Sequence, residues 1–318
     1  MDVYSPPKAG LLSHLPPSWV PYAELARIDR PTGVYYLLWP CIWSTLFAAA
    51  QSTPTIPLSD VGRNLLLWAV GCYAIRVAAC AINDIQDRKI DPLVTRTKFR
   101  PLARKAIPVP AAVVFAGAHL LLGLAVLLQF PRITIPFSGP SFILIFAYGL
   151  SKRVTDYPQV VLGFFWSSGV VLGFPALGIN PLDESWYRAV SCLYLSNIFW
   201  TILYDTIYAY MDLKDDRKAG IRSIAVAHAK DSKSLLWGLA LSQIVFLVLA
   251  GWFGGLGIGF FVAGCGSAAV SLVHMVRTVD LADPASCWWW FKNGCLITGS
   301  GIALGFLNEY LVKIIGQS

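Results

Sequence analysis

Residues 64–91 read NLLLWAVGCYAIRVAACAINDIQDRKID. From Asn64 to Ile82 the only charge is Arg76, which is the length and composition of a helix that crosses a bilayer. Asn83, Asp87 and Asp91 then follow at intervals of four. A helix continued through them would carry three oxygen-bearing side chains as one stripe, drifting about 40° per step. Arg76, seven residues before Asn83, lies about 20° off the same line and takes the stripe inward. Asp84 is about 100° around the helix and should point elsewhere.

Comparable apolar stretches fall at 33–50, 110–130, 136–151, 159–179, 187–210, 234–253, 256–276 and 293–312. With 64–82 they predict an all-α, polytopic membrane protein of about nine transmembrane helices around a central cavity. Unbroken runs of this length suit helices rather than barrel strands. The composition agrees. Of 318 residues, 56% are hydrophobic and 14% charged, against roughly 25% charged in soluble domains; mean hydropathy is +0.59. An ordinary soluble enzyme and a disordered chain are both excluded. We read residues 1–318 as a single domain, opening with an N-terminal segment, 1–32.

Under nine-span alternation, 20 of the 25 Lys and Arg fall on one side of the membrane and four on the other, Arg76 being intramembrane. By the positive-inside rule this puts the N-terminus and both acidic loops in the cytoplasm. Residues 1–20 show neither a signal-peptide core nor an Arg- and Ser-rich presequence, so an endoplasmic-reticulum-type membrane is expected over a mitochondrial one if the host is eukaryotic. Membrane lipid is an expected partner; nucleic acid is not, since no basic helix or finger occurs. The seven cysteines form no CxxC and read as small hydrophobes.

Seven of the 18 acidic residues sit in two places: Asp84, Asp87 and Asp91, then Asp205, Asp212, Asp215 and Asp216. Acids gathered at a membrane boundary are functional candidates. The second set repeats the device, with Tyr208, Asp212 and Asp216 again spaced by four. Oxygen-rich donor sets without His or Cys suit Mg²⁺, which bridges one or two carboxylates to substrate phosphates. Bases for the remaining phosphate oxygens lie nearby: Arg96, Lys98, Arg100, Lys152, Arg153, Lys218 and Arg222.

These residues carry a resemblance. The chain resembles the UbiA superfamily of intramembrane prenyltransferases, nearest the 4-hydroxybenzoate polyprenyltransferase branch. The likeness lies in RIDRPTG (27–33), LWP (38–40), the segment 76–91, RTKFRPLA (96–103), YGLSKR (148–153), PQVVLG (158–163) and DTIYAYMDLKDDRKAGIRS (205–223). It implies nine helices around a cavity open sideways to lipid, a prenyl diphosphate donor, an aromatic (phenolic acid) acceptor and an Mg²⁺-dependent reaction. It further implies that Asn83, Asp87 and Asp91 form the first metal–diphosphate motif and Asp212 and Asp216 the second. Lys152 would contact the diphosphate with Tyr148 beside it, and Arg76, Arg96, Arg100 and Arg153 would help. Asp205 is the candidate base, or the group that orients the phenol.

Within this family we read the chain as a specialised enzyme that transfers a farnesyl-length group to a phenolic acid for a meroterpenoid product. The N-terminus and the Ile85–Gln86 pair inside the first motif point that way. The alternative is the 4-hydroxybenzoate polyprenyltransferase of ubiquinone biosynthesis. A secondary transporter is the non-enzyme alternative, but it would place acids near the bilayer midplane. Trp288, Trp289 and Trp290 read as an interfacial aromatic belt, and His119 and His274 as packing residues.

Overall fold

The computed structural model describes residues 4–151 and 153–316. Among these, nine helices are of spanning length: α1 (Thr32–Gln51), α2 (Leu58–Asp87), α3 (Val109–Leu127), α4 (Thr134–Ser151), α5 (Pro158–Trp166, resuming as Ser168–Leu172), α6 (Tyr187–Ala209), α7 (Ser232–Phe253), α8 (Phe260–Gly266, a π-helical stretch, running on into Ser267–Thr278) and α9 (Pro284–Ile315). Eight are also apolar enough to cross a membrane. The exception is α6, which carries Arg188, Asn197, Asp205 and four tyrosines. Its polarity is turned inward: Asn197, Thr201, Tyr204 and Asp205 are all buried.

The helix ends follow local chemistry. The Asp283 side chain accepts hydrogen bonds from the backbone amides of Ala285 and Ser286, and Pro284 fills the first helical position of α9, where no backbone donor is needed. Pro158 does the same for α5. Pro40 and Pro140 lie inside α1 and α4, where neighbouring helices make such breaks tolerable in lipid.

Packing closes the bundle into a ring in the order α1, α2, α4, α5, α6, α7, α8, α9 and back to α1, with α3 lying outside on α2. α3 presents Ala112, Ala116 and Gly123 inward and leaves Val113, Val114, Leu121 and Leu124 exposed, as expected of a helix that faces lipid on its free side. A Cβ on Gly123 would lie 2.8 Å from Ile75 Cδ1, so small residues set this close approach. The tightest crossing joins α8 to α9: a Cβ on Gly305 would lie 2.6 Å from Gly264 Cα.

Inside the ring is an aromatic core. Tyr36 of α1 stacks on Tyr204 of α6 with ring centroids 3.4 Å apart, and Trp166, Trp200 and Phe291 surround the pair at 5.1–5.6 Å from Tyr36. Trp166 and Phe291 of this core also line a cavity shared with residues of the acidic segments.

Candidate active site at the acidic end of the bundle

Two adjoining cavities open above the aromatic core. The larger, about 730 Å³, is lined by Arg76, Asn83 and Asp84 of α2, by Trp166 of α5 and by Phe291 of α9, with the N-terminal residues Tyr4 to Leu12 forming part of its wall. The smaller, about 290 Å³, is lined by Asp87, Asp91, Asp212 and Asp216 together with Arg153 and Arg222. Arg96, Arg100, Tyr148, Asp205 and Tyr208 line both. Residues from the two acidic segments therefore meet in one place. The residue expected beside Tyr148 in this role, Lys152, lies outside the described residues.

The expected stripes are only partly helical. α2 ends at Asp87, and Asp91 enters on a separate 3₁₀ turn, Asp91–Leu93. In the same way α6 ends at Ala209, a 3₁₀ turn carries Asp212, and a short helix, Leu213–Ala219, carries Asp216. The chain bends back over the cavity at both places. Asp91 and Asp212 thus reach the smaller cavity on 3₁₀ turns, and Asp216 on a short separate helix, rather than by continued helical phase.

Arginines sit among the acids. Arg96 Nε lies 2.9 Å from Asp212 Oδ1 and its Nη1 donates to the Tyr208 hydroxyl at 2.6 Å. Arg100 Nη1 reaches both Asp91 (3.0 Å) and Asp84 (3.2 Å). Burial disfavours a charged guanidinium, yet Tyr208 and Asp212 hold Arg96 above its ordinary range, and Asp84 and Asp91 do the same for Arg100. Both stay cationic at any working pH. The Thr95 amide donates to Asp215 Oδ2 at 2.8 Å, and hydrogen bonding from the Thr95 side chain, then from its amide, lowers the pKa of that carboxyl. The loop after α2 is thereby bonded to the segment after α6 at two points.

Asp84, which helical phase sets apart from the stripe, is tied to it through Arg100 and lines the larger cavity. It is fully buried and its oxygens accept from Arg27 Nη2 at 2.8 and 3.0 Å. The sequence reading left Arg27 and Asp84 outside the site; the RIDRPTG stretch was the available signal. It also took Trp288 for a belt residue. Trp288 instead lines the larger cavity, Trp290 is buried and only Trp289 is half-exposed, because helical phase turns three consecutive residues to three directions. The histidines pack as expected: His119 Nδ1 lies 2.9 Å from the Phe115 carbonyl.

Arg76 lies two turns inward from Asn83. Its guanidinium sits over the Trp166 ring at 5.7 Å, and its Nε is buried with no hydrogen-bond partner. Gly33 makes room for it, since a Cβ there would lie 2.2 Å from Arg76 Nε. Gln86 turns out of the site: its amide donates to the Phe146 carbonyl of α4 at 3.1 Å, against Gly149, where a Cβ would lie 1.8 Å from Gln86 Oε1. Gln86 thus packs between α2 and α4.

The donor set fits a hard divalent ion shared with a substrate. Among the described residues no three His, Cys, Asp or Glu side chains gather closely enough to hold an ion unaided. One or two carboxylates plus phosphate oxygens and water is, however, the usual environment of Mg²⁺. The Asn83 Oδ1 oxygen is buried with no hydrogen-bond partner on a residue that lines the larger cavity, an acceptor open to a ligand.

Comparison with known proteins matches this arrangement to a family. A 4-hydroxybenzoate polyprenyltransferase, mitochondrial, of Schizosaccharomyces pombe is 40% identical over 98% of this chain and 86% of its own length. Its namesake in Saccharomyces cerevisiae is 39% identical over 96% of this chain and 80% of its own. A UbiA homologue from Archaeoglobus fulgidus, solved with DMAPP and Mg²⁺, shares the fold at a TM-score of 0.67 with 16% identity, over 90% of this chain and 99% of that one. The mitochondrial relatives overturn the expectation of an endoplasmic-reticulum-type membrane. The matched region covers only part of each relative, and membrane helices carry no organelle address, so the composition read here is silent on it. The model of the UbiA prenyltransferase family matches residues 37–299; the chain belongs to that family and is a multi-pass membrane enzyme that transfers prenyl groups.

Proposed function

We propose that this enzyme transfers a polyprenyl group from its diphosphate to a ring carbon of 4-hydroxybenzoate, in a magnesium-dependent reaction. The observation that carries the reading is one chamber in which a cationic and acidic roof adjoins an apolar, aromatic floor. That is the shape needed to hold a diphosphate, its prenyl tail and a small phenolic acid together. Identity of about 40% to two 4-hydroxybenzoate polyprenyltransferases favours this acceptor. It supports the ubiquinone-type alternative over the meroterpenoid reading.

In this reading Asn83, Asp87 and Asp91 from one segment, and Asp212 and Asp216 from the other, hold magnesium against the diphosphate. When bound, the ion neutralises charge that develops on the leaving diphosphate. Arg96, Arg100 and Arg153 take the remaining diphosphate oxygens, with Lys152 assigned beside them by resemblance. The bond from the prenyl C1 to the diphosphate oxygen breaks, its electron pair leaving with the diphosphate. The faces of Tyr208, Phe291 and Trp288 suit the allylic cation so formed.

Arg76 is assigned to the acceptor. It lies about 10 Å along the helix from Asn83, too deep for the diphosphate but within the aromatic floor, where a guanidinium pairs strongly with a carboxylate. A carboxylate there leaves the phenol end of the acceptor toward Tyr148 and Asp205. Asp205 accepts from the phenol hydroxyl, which makes the neighbouring ring carbon more nucleophilic. That carbon bonds to the prenyl C1, and Asp205 takes the ring proton that restores aromaticity. The exposed apolar sides of α3 and α4 support contact with lipid, where the tail runs.

The test is direct. Membranes carrying the enzyme are supplied with Mg²⁺, a prenyl diphosphate of geranyl to polyprenyl length and a panel of phenolic acids, and products are weighed by mass spectrometry. Prenylated 4-hydroxybenzoate is expected. Prenylation of another phenolic acid with 4-hydroxybenzoate untouched would sink the assignment.

A further inference from the structure

Asp84 is the one carboxylate of the first acidic segment that the chemistry above does not use, yet it is the most thoroughly enclosed. It accepts from Arg27 on both oxygens and forms an ion pair with Arg100 at 3.2 Å, and the same Arg100 nitrogen donates to Asp91. Arg27, Asp84, Arg100 and Asp91 therefore alternate in charge across three parts of the chain: the segment before α1, the last turns of α2 and the loop that follows. Arg27 holds a backbone φ of +57°, a region that non-glycine residues seldom occupy. Its side chain also donates to the Glu24 carbonyl at 2.8 Å.

We infer that Asp84 is a positioning residue that fixes the Arg100 guanidinium for the donor's diphosphate. The inference rests on the reading that Arg100 binds that diphosphate. The reasoning is electrostatic. A buried arginine with one acid for a partner is tied to it, because separation leaves an uncompensated charge. Were Asp91 the sole partner of Arg100, the arginine would compete with the incoming ion for that carboxylate. Asp84 gives Arg100 a second anchor, so it can release Asp91 to the metal and turn to the phosphate oxygens without becoming isolated. Arg27, by occupying both Asp84 oxygens, keeps Asp84 itself out of the metal's reach.

The experiment uses the full chain in lipid nanodiscs and reads the binding of magnesium pyrophosphate by calorimetry beside steady-state kinetics. Asp84→Asn keeps the shape and removes the charge. It is expected to raise the pyrophosphate Kd and the donor KM about tenfold or more, the scale seen when a residue supporting a ligand-binding group is lost, with kcat and the acceptor KM moving less. Arg100→Gln should weaken binding at least as much. The double variant should be no weaker than Arg100→Gln alone, since Asp84 acts through Arg100. Losses that add in the double variant, or wild-type affinity in Asp84→Asn beside a weakened Arg100→Gln, overturn the positioning role and leave Arg100 as a phosphate ligand. Wild-type affinity in Arg100→Gln overturns the parent reading instead. Should Asp84→Asn fail to accumulate, Asp84→Glu retains the charge on a longer stem. A smaller loss in the same direction is then expected, again not additive with Arg100→Gln, and an unchanged Kd rejects the inference.

Discussion

Arg96 donates to both carboxylate oxygens of Asp212, joining two segments 116 residues apart in the wall of the smaller cavity. The pairing matters for catalysis because Asp212 is also proposed to face the metal. Replacing Asp212 or Asp87 by alanine removes an oxygen ligand from a set with few to spare. Each variant is expected to lose about a hundredfold or more of its turnover while remaining folded and membrane-inserted, as judged by size-exclusion elution in detergent. EDTA should stop the wild-type reaction and added Mg²⁺ should restore it. Near-normal turnover of either variant at saturating donor, or full activity in chelator, contradicts the assignment.

Arg76 and the diphosphate-binding arginines are expected to separate kinetically. Arg76→Gln should raise KM for 4-hydroxybenzoate about tenfold or more, as loss of a charge-assisted pair does, and leave the donor KM near its wild-type value. Equal effects on both substrates would return Arg76 to the diphosphate.

The hydrogen bonding of Asp215 by the Thr95 side chain and amide has a defined pH signature. Because the folded-state pKa of Asp215 is lowered, its contribution is present above the unfolded carboxyl value, about 3.9, and fades as pH falls through the lower folded value. Asp215→Asn should therefore melt slightly below wild type at pH 7. The two proteins should converge as pH drops below 4. The group is exposed, so the difference is small, and differential scanning fluorimetry at several pH values reads it. A gap that widens on acidification contradicts the sign.

Gly149→Ala tests the contact between α2 and α4. The new Cβ would meet Gln86 Oε1 at 1.8 Å, and such overpacking typically costs about 1–3 kcal/mol. Gly117, whose Cβ would meet nothing within 4 Å, is the control and should melt within experimental error of wild type. Equal melting temperatures for both variants would show that Gln86 simply rotates aside.

Much of this architecture was readable in advance because lipid imposes a simple rule on sequence. Each spanning helix announces itself as an apolar run, and even α6, the least apolar, is bounded correctly by the run at 187–210. The two acidic segments stand out by their spacing, although the helical phase behind that spacing holds only in part. Asn83 and Asp87 share α2, whereas Asp91 and Asp212 sit on 3₁₀ turns, which local periodicity does not reveal. What stayed hidden depends on ring closure. Arg27 and Asp84 are 57 residues apart, and nothing in either neighbourhood marks them as partners. The inward turn of Trp288 likewise depends on which face of α9 meets the ring.

The paired roof has a consequence for how the donor arrives. Among the described residues lining the two cavities, seven arginines (Arg27, Arg30, Arg76, Arg96, Arg100, Arg153 and Arg222) face eight acids (Glu24, Asp29, Asp84, Asp87, Asp91, Asp205, Asp212 and Asp216), so the resting entrance carries little net field. A magnesium-bound diphosphate is itself close to neutral and enters by exchanging partners rather than by falling into a potential well. Capture of the donor should then be nearly indifferent to ionic strength, unlike the steered encounters of enzymes with a bare cationic funnel.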